Sequence, residues 1–230
     1  MNRYSVIVDK NPREIILLRS HPCKWGRCFF CDYINDNSVN EEEMISTNKE
    51  IIKKIDGRFN SLEVINSASV FELPKQSLID IREKCIEKGI TTLYFEAYYN
   101  YRYKLGEIRD FFQGINIEFK CGIESFDHEF RNSYLNKNII FETPQEVAQF
   151  FDNICLLVGI EGQNEKMIDR DMEIAQKYFK KACINIFVEN TTPVKRDEKL
   201  VKYFKDNYSH LENMPNIEIL WNNTDFGVGN

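Results

Sequence analysis

The sequence predicts an α/β fold with a parallel sheet at its centre, on three observations. Short, β-branched apolar runs recur along the chain. Charged stretches with helical spacing separate them, and polar residues follow each run. Apolar runs this short and continuous read as strands covered on both faces, and their alternation with helices gives parallel pairing.

The elements follow in order. EIILLRS (14–20), SLEVINS (61–67), TTLYFEA (91–97), INIEFKCGIES (115–125), NICLLVGI (153–160) and ACINIFVE (182–189) are the expected strands. The first helix, 41–56, puts Met44, Ile45, Ile51, Ile52 and Ile55 on one side. The second, 74–89, begins with Pro74 and stops at Gly89, good punctuation at both ends. Helices over 102–114, 143–151, 164–181 and 195–208 complete the series, with Gly106 weakening the third. NIEIL (216–220) reads as an edge strand. Six strand-then-helix units with right-handed crossovers result. They either close partly into a barrel or lie open and doubly wound, since a full eight-unit barrel usually takes about 250 residues. In both cases chemistry gathers at the carboxyl ends of the strands.

The 230 residues suit one domain, 1–230, with a core over 14–208 and a tail over 209–230. Only 10 Gly and 6 Pro are present, so no flexible linker divides it. With 43% hydrophobic and 29% charged residues the chain is no disordered polymer. Its net charge of −6 argues against a sequence-independent nucleic-acid binder, which needs a basic face. No run approaches the roughly 20 apolar residues of a membrane helix. Asp9, Lys10 and Arg13 interrupt any leader-like stretch, so no membrane partner and a cytoplasmic location are expected.

Seven cysteines in such a chain read as thiols, ligands or catalytic groups. Cys85, Cys121, Cys155 and Cys183 fall inside apolar stretches and read as small buried hydrophobes. HPCKWGRCFFCDY is different: Cys23, Cys28 and Cys31 stand at Cys-x4-Cys-x2-Cys spacing after the first strand. Three thiolates on one short loop can grip an iron–sulfur cluster and leave one iron open, or bind zinc with His21 as a fourth ligand. Trp25, Phe29 and Phe30 favour the cluster, because a redox centre needs shielding.

The cysteine loop resembles the signature of the radical S-adenosylmethionine (SAM) superfamily. That signature is usually Cys-x3-Cys-x2-Cys with an aromatic before the last cysteine; this chain keeps Phe30 and inserts one residue. NSASVFE (66–72) resembles the SAM-amino-group motif of the branch holding Elongator-type and archaeosine-pathway enzymes. CGIESFDHEFRNSYLNKN (121–138) and LLVGIEGQNE (156–165) resemble its strand-four segment and strand-five turn. The resemblance spans about residues 14–192, in order. It implies a partial (β/α)6 barrel with a short C-terminal extension, and a [4Fe-4S] cluster on Cys23, Cys28 and Cys31 whose open iron binds SAM. It directs Phe30 to adenine and Asn66, Ser67, Ala68 and Ser69 to the SAM amino group. Glu96 and Glu124 would hold the ammonium or the ribose hydroxyls. On the residues alone, the two glutamates could also be buried ion pairs and the serines turn residues.

An acidic chain without a separate RNA-binding domain suits a small molecule better than tRNA. A purine-like base shows adjacent N–H donors that one carboxylate can read, with amides reading the rest of the edge. Glu189, Asn190, Asn222, Asn223 and Asp225 are the available set, with Tyr98, Tyr99 and Trp221 for stacking. The tail would thus contribute to the pocket; Trp221 and Phe226 could instead simply pack. Size, spacing and tail are similar to the queuine lyases. Those enzymes split the carbon–nitrogen bond between the cyclopentenediol ring and 7-aminomethyl-7-deazaguanine (preQ1). A flavodoxin- or ferredoxin-type electron donor is implied. The alternatives are a lysine–deazaguanine lyase of the archaeosine type, a Cys3His zinc-stabilised binding module and an RNA-binding accessory subunit, the last opposed by the negative charge.

Overall fold

The computed structural model describes residues 1–229; Asn230, the last residue of the expected domain, lies outside them. The strands are β1 (Tyr4–Ile7), β2 (Arg13–Leu18), β3 (Ser61–Asn66), β4 (Thr92–Glu96), β5 (Asn116–Glu124), β6 (Asn153–Val158), β7 (Lys181–Ile186) and β8 (Ile217–Leu220). The helices are α1 (Glu41–Ile52), α2 (Lys75–Lys88), α3 (Leu105–Phe111), α4 (Pro144–Ala148), α5 (Glu165–Tyr178) and α6 (Glu198–Tyr208). All six expected strands and all six expected helices form. The third helix opens as a 3-10 segment, Tyr99–Lys104, because an aromatic run followed by Gly106 is a poor α-helix start. β1 was not expected: four half-buried residues carry too little apolar signal.

The chain packs as two compact units. The first holds residues 1–26, 33–119 and 226 onward. Its strand order is β1-β2-β3-β4, with β1 antiparallel to β2 and the rest parallel. Ile15, Ile16, Leu18, Leu62, Val64, Leu93 and Phe95 fill its core. Glu14 is buried inside β2 yet fully used. Its carboxylate accepts from Tyr4 Oη (2.9 Å), Asp56 N (2.9 Å) and Gly57 N (2.7 Å), which fixes the turn after α1. Gly57 sits at φ +80°, and a Cβ there would lie 2.6 Å from the Lys88 carbonyl oxygen. α2 ends on Gly89 in the left-handed conformation, as its punctuation predicts.

The second unit holds residues 27–32 and 120–225, with strand order β5-β6-β7-β8 and parallel pairing throughout. Every residue of β6 is buried. Asn164 caps α5 and Asp197 caps α6 through their side-chain oxygens. Gln163 closes the turn after β6, accepting from Gly159 N (3.0 Å) and donating to the Leu157 carbonyl (2.8 Å). The four scattered cysteines are buried as expected, and burial pushes the Cys85 thiol up to about 12. No helix among the described residues is long and apolar enough to cross a membrane.

A buried polar cluster braces the segment after β5. Arg131 is wholly buried, donating from Nε to the Ile139 carbonyl (3.1 Å) and from Nη1 to the Ser125 carbonyl (2.8 Å). Asp171 on α5 accepts from Phe126 N at 2.7 Å. Burial pushes the Asp171 carboxyl up to about 7, against the pull of hydrogen bonds from Ser125 and Phe126. The folded chain therefore holds this proton more tightly than the unfolded chain, and stability falls as pH climbs from about 4 to about 7. Asp171→Asn keeps an acceptor for Phe126 N and abolishes the titration. It is expected to unfold later than the parent at pH 8, by about 2 kcal/mol, with the gap closing near pH 4. Urea denaturation at the two pH values checks this; a pH-independent gap contradicts it.

Candidate active site

In the first unit the chain leaves β2 through Ser20 and enters the cysteine loop. The loop entrance is anchored on Glu72. His21 N donates to the Glu72 carbonyl (2.9 Å), and Lys24 N donates to its carboxylate. The same carboxylate accepts from Ser69 N (2.9 Å) and Tyr101 Oη (2.5 Å). Burial raises the Glu72 pKa, and these donors partly offset it. Phe71 stacks on Tyr101 with ring centroids 4.6 Å apart, and Lys24 Nζ stands 5.4 Å from the same ring. One glutamate thus ties the Cys23 end of the loop to the motif after β3.

That motif carries an unmet demand. Asn66 donates through Nδ2 to the Ser69 carbonyl (3.1 Å), but Asn66 Oδ1 and Ser69 Oγ are both buried with no partner. Two orphaned oxygens so close in the chain are costly, at roughly 1–3 kcal/mol each, unless a ligand supplies donors. An ammonium group would satisfy them. Ser67 Oγ donates to Asn37 Oδ1 and lies 3.5 Å from Ser20 Oγ, so it is tied to the loop scaffold. Ala68 is half-buried beside it. Glu96 ends β4, half-buried. Tyr98 follows and accepts from Asn100 Nδ2 (3.2 Å), whereas Tyr99 is in the core with the Arg102 guanidinium 4.5 Å from its ring centre.

In the second unit Cys28 and Cys31 share one turn, Cys31 N donating to the Cys28 carbonyl at 3.4 Å. Phe30 packs on an apolar cluster of Phe130, Leu135, Leu157, Ile160, Phe187 and Val194. β5 ends in a bulge at Gly122–Glu124, which throws Glu124 into the left-handed region at φ +66°. Its carboxylate pairs with Lys137 Nζ at 2.6 Å, both groups largely buried. A Cβ on Gly122 would lie 2.7 Å from Glu124 Oε1 and 3.2 Å from Lys137 Nζ, so only glycine leaves room for the pair. Lys137 stands 5.4 Å from the centre of the Phe30 ring. Burial disfavours its charge, but Glu124 and the sulfurs of Cys28 and Cys31 hold its pKa above the ordinary lysine value. Asn136 and Asn138, at φ +51° and +54°, frame the lysine; short polar side chains tolerate that conformation.

The donor set suits an anionic iron–sulfur centre. Cys23, Cys28 and Cys31 are half-buried thiols within nine residues, and a buried ammonium beside two of them offsets thiolate charge. His21, the fourth ligand of a zinc reading, has Nε2 4.0 Å from the Glu41 carboxylate. Among the described residues no three His, Cys, Asp or Glu side chains are drawn together as a ready-made metal cage.

The remaining candidates are spread out. Glu189 is exposed, 3.6 Å from Lys195 Nζ, and accepts from Arg196 N (3.3 Å). Asn190 is engaged with Phe30 and Thr192. Trp221 packs edge-on against Phe204 and donates through Nε1 to Glu212. Asn222 N donates to Asp225 Oδ2 (2.9 Å) in a self-contained turn, with Asn223 exposed between them. Phe226, by contrast, belongs to the first unit, where the Arg13 guanidinium covers its ring at 5.0 Å.

The solved structure of a queuine lyase from Clostridium spiroforme, bound to SAM and queuine, matches this chain over 100% of both lengths, with 49% sequence identity and a TM-score of 0.98. The chain belongs to the queuine lyase family. That likeness over the whole chain carries the fold class read from the sequence, the partial (β/α)6 arrangement included. An uncharacterized protein of Methanocaldococcus jannaschii is 30% identical over 144 residues, which are 55% of this chain and 39% of that protein. No family model matches the chain.

For a queuine lyase family member, sequence reasoning missed Glu72, Asn136 and Lys137. All three lie inside the segments NSASVFE (66–72) and CGIESFDHEFRNSYLNKN (121–138). The clue for Lys137 was its place between two asparagines, a pairing that favours left-handed backbone and so a fixed side-chain direction. For Glu72 the local clue was the Ser-x-x-Glu spacing with Ser69, whereas its other partners, Lys24 N and Tyr101 Oη, are distant in sequence.

Proposed function

We propose that this chain is a radical SAM lyase that cleaves the carbon–nitrogen bond of queuine and releases preQ1. The observation that carries the reading is the full-length likeness to a queuine lyase bound to SAM and queuine. When bound, a reduced [4Fe-4S] cluster and SAM would supply a 5′-deoxyadenosyl radical able to take a hydrogen atom from the substrate. Cys23, Cys28 and Cys31 hold three irons. Asn66 Oδ1 and Ser69 Oγ accept from the SAM ammonium, which is what their burial without partners supports. Lys137 offers its ammonium to the SAM carboxylate side, with Glu124 fixing it. Phe30 takes one face of adenine, and Glu96 holds the ribose hydroxyls. Tyr98, Glu189 and the 221–225 turn are the candidates for reading the base, as part of a single 1–230 domain. A flavodoxin- or ferredoxin-type donor supplies the electron. The exposed Lys24, Arg27 and Phe29 of the cysteine loop suit such an acidic partner.

Reduced protein incubated with SAM and queuine should yield preQ1 and 5′-deoxyadenosine by mass spectrometry. Deoxyadenosine without preQ1 would exclude this substrate; one tightly held zinc and no acid-labile sulfide would exclude the chemistry. Ser69→Ala separates cost from use. It deletes an orphaned hydroxyl, so the ligand-free protein should melt at the same temperature as the parent or above it. Calorimetric SAM affinity should fall about 10–100-fold, a hydrogen bond to a charged group being worth about 1.5–3 kcal/mol. Parent-like affinity would remove Ser69 from the site.

A further inference from the structure

We propose that Asn190, with Asn136 as its counterpart, is a positioning residue that holds the Cys28–Cys31 turn in the geometry its iron–sulfur centre needs. The inference rests on the radical SAM reading and gives Asn190 a different task from base recognition.

The amide of Asn190 is already spent. Its Oδ1 accepts from Thr192 N (3.0 Å) and Thr192 Oγ1 (2.7 Å), so both lone pairs are used. That small ring fixes the amide plane, and Nδ2 then donates to the Phe30 carbonyl at 2.8 Å. The next residue adds to the grip: Thr191 N and Oγ1 both donate to Asp32 Oδ2, each at 3.2 Å. From another segment Asn136 Nδ2 donates to the Arg27 carbonyl (2.8 Å), and Phe29 N donates to the Leu135 carbonyl (3.0 Å). Residues 27, 29, 30 and 32 are thus pinned from outside, and the two cysteines lie between the pins.

The turn needs this help. Its own Cys31–Cys28 bond is long at 3.4 Å, and ordering each backbone residue costs about 1–2 kcal/mol. Polar groups behind metal ligands fix ligand direction, and their loss typically costs about 10–100-fold in metal affinity. All these contacts lie within the second compact unit.

Asn190→Asp is the test, because it keeps the acceptor for Thr192 and replaces the donor facing Phe30 by an oxygen. Full-length parent and variant are reconstituted anaerobically. Three measurements follow: iron release to a ferrous chelator, the electron paramagnetic resonance spectrum of the reduced protein with and without SAM, and thermal unfolding of the cluster-free protein. The expected result is iron release about 10-fold faster and an altered spectrum, with cluster-free unfolding unchanged. Thr191→Val should accelerate release in the same direction by less. Parent-like release and spectrum with a weakened queuine KM would overturn the proposal and return Asn190 to the base-binding set. If Asn190→Asp does not fold, Thr191→Val decides, and parent-like release there rejects the clamp. A parent protein that takes up no iron overturns the radical SAM reading itself, whereas iron in the parent with an indifferent variant overturns the clamp alone.

Discussion

Cys28→Ala protein is expected to fold, to hold no iron–sulfur centre and to form no detectable 5′-deoxyadenosine. The Cys28 side chain is half-buried on a loop, while the apolar cores of the two units are built by buried residues of strands such as β3 and β6. Losing one of three ligands leaves two, too few to hold a cube and keep one iron open for SAM. Iron and sulfide content, deoxyadenosine formation and far-ultraviolet circular dichroism read the three parts separately. Retained secondary structure with total loss of the other two is the expected pattern. Collapse of the fold would point instead to a structural metal, since such sites contribute folding energy outright.

The second large effect concerns Lys137. Lys137→Met strands a Glu124 carboxylate that is 7% exposed and held in a strained conformation. Removing one member of a buried pair costs about 3 kcal/mol, because the other charge is left unsolvated. Denaturant unfolding should show that loss, and SAM affinity should fall at least about 10-fold as a cation beside Cys28 and Cys31 disappears. The double variant Lys137→Met/Glu124→Gln removes the stranded charge. It is expected to recover about half of the stability and none of the SAM affinity. Recovery of both would make the ion pair purely structural; unchanged affinity in the single variant would remove Lys137 from the SAM site.

The two variants also show how unevenly the site was legible. The cysteines stood out by spacing, and Asn66–Ser69 by the resemblance of NSASVFE to a SAM-amino-group motif. Glu124 was legible as a glutamate at a strand end, but its partner was not: Lys137 lies thirteen residues on, beyond a π-helical turn at Phe130–Tyr134. Tyr99 and Asn190 show what residue type leaves out. An aromatic and an amide were both assigned to a base, yet one is buried in the core and the other makes its bonds to the cysteine loop and its own turn.

By itself the sequence determined the alternation of strands and helices, the buried character of Cys85, Cys121, Cys155 and Cys183, and the grouping of three cysteines on one loop. Those properties depend on local periodicity and on ligand type, which are written residue by residue. Only the tertiary structure decided that Glu72 anchors the loop entrance, that Gly122 makes space for a buried ion pair, and that the segment after β7 grips the cysteine turn. Each of these depends on which distant groups end up within about 3 Å of each other, and hydrogen bonds lose their strength within a few tenths of an ångström beyond that.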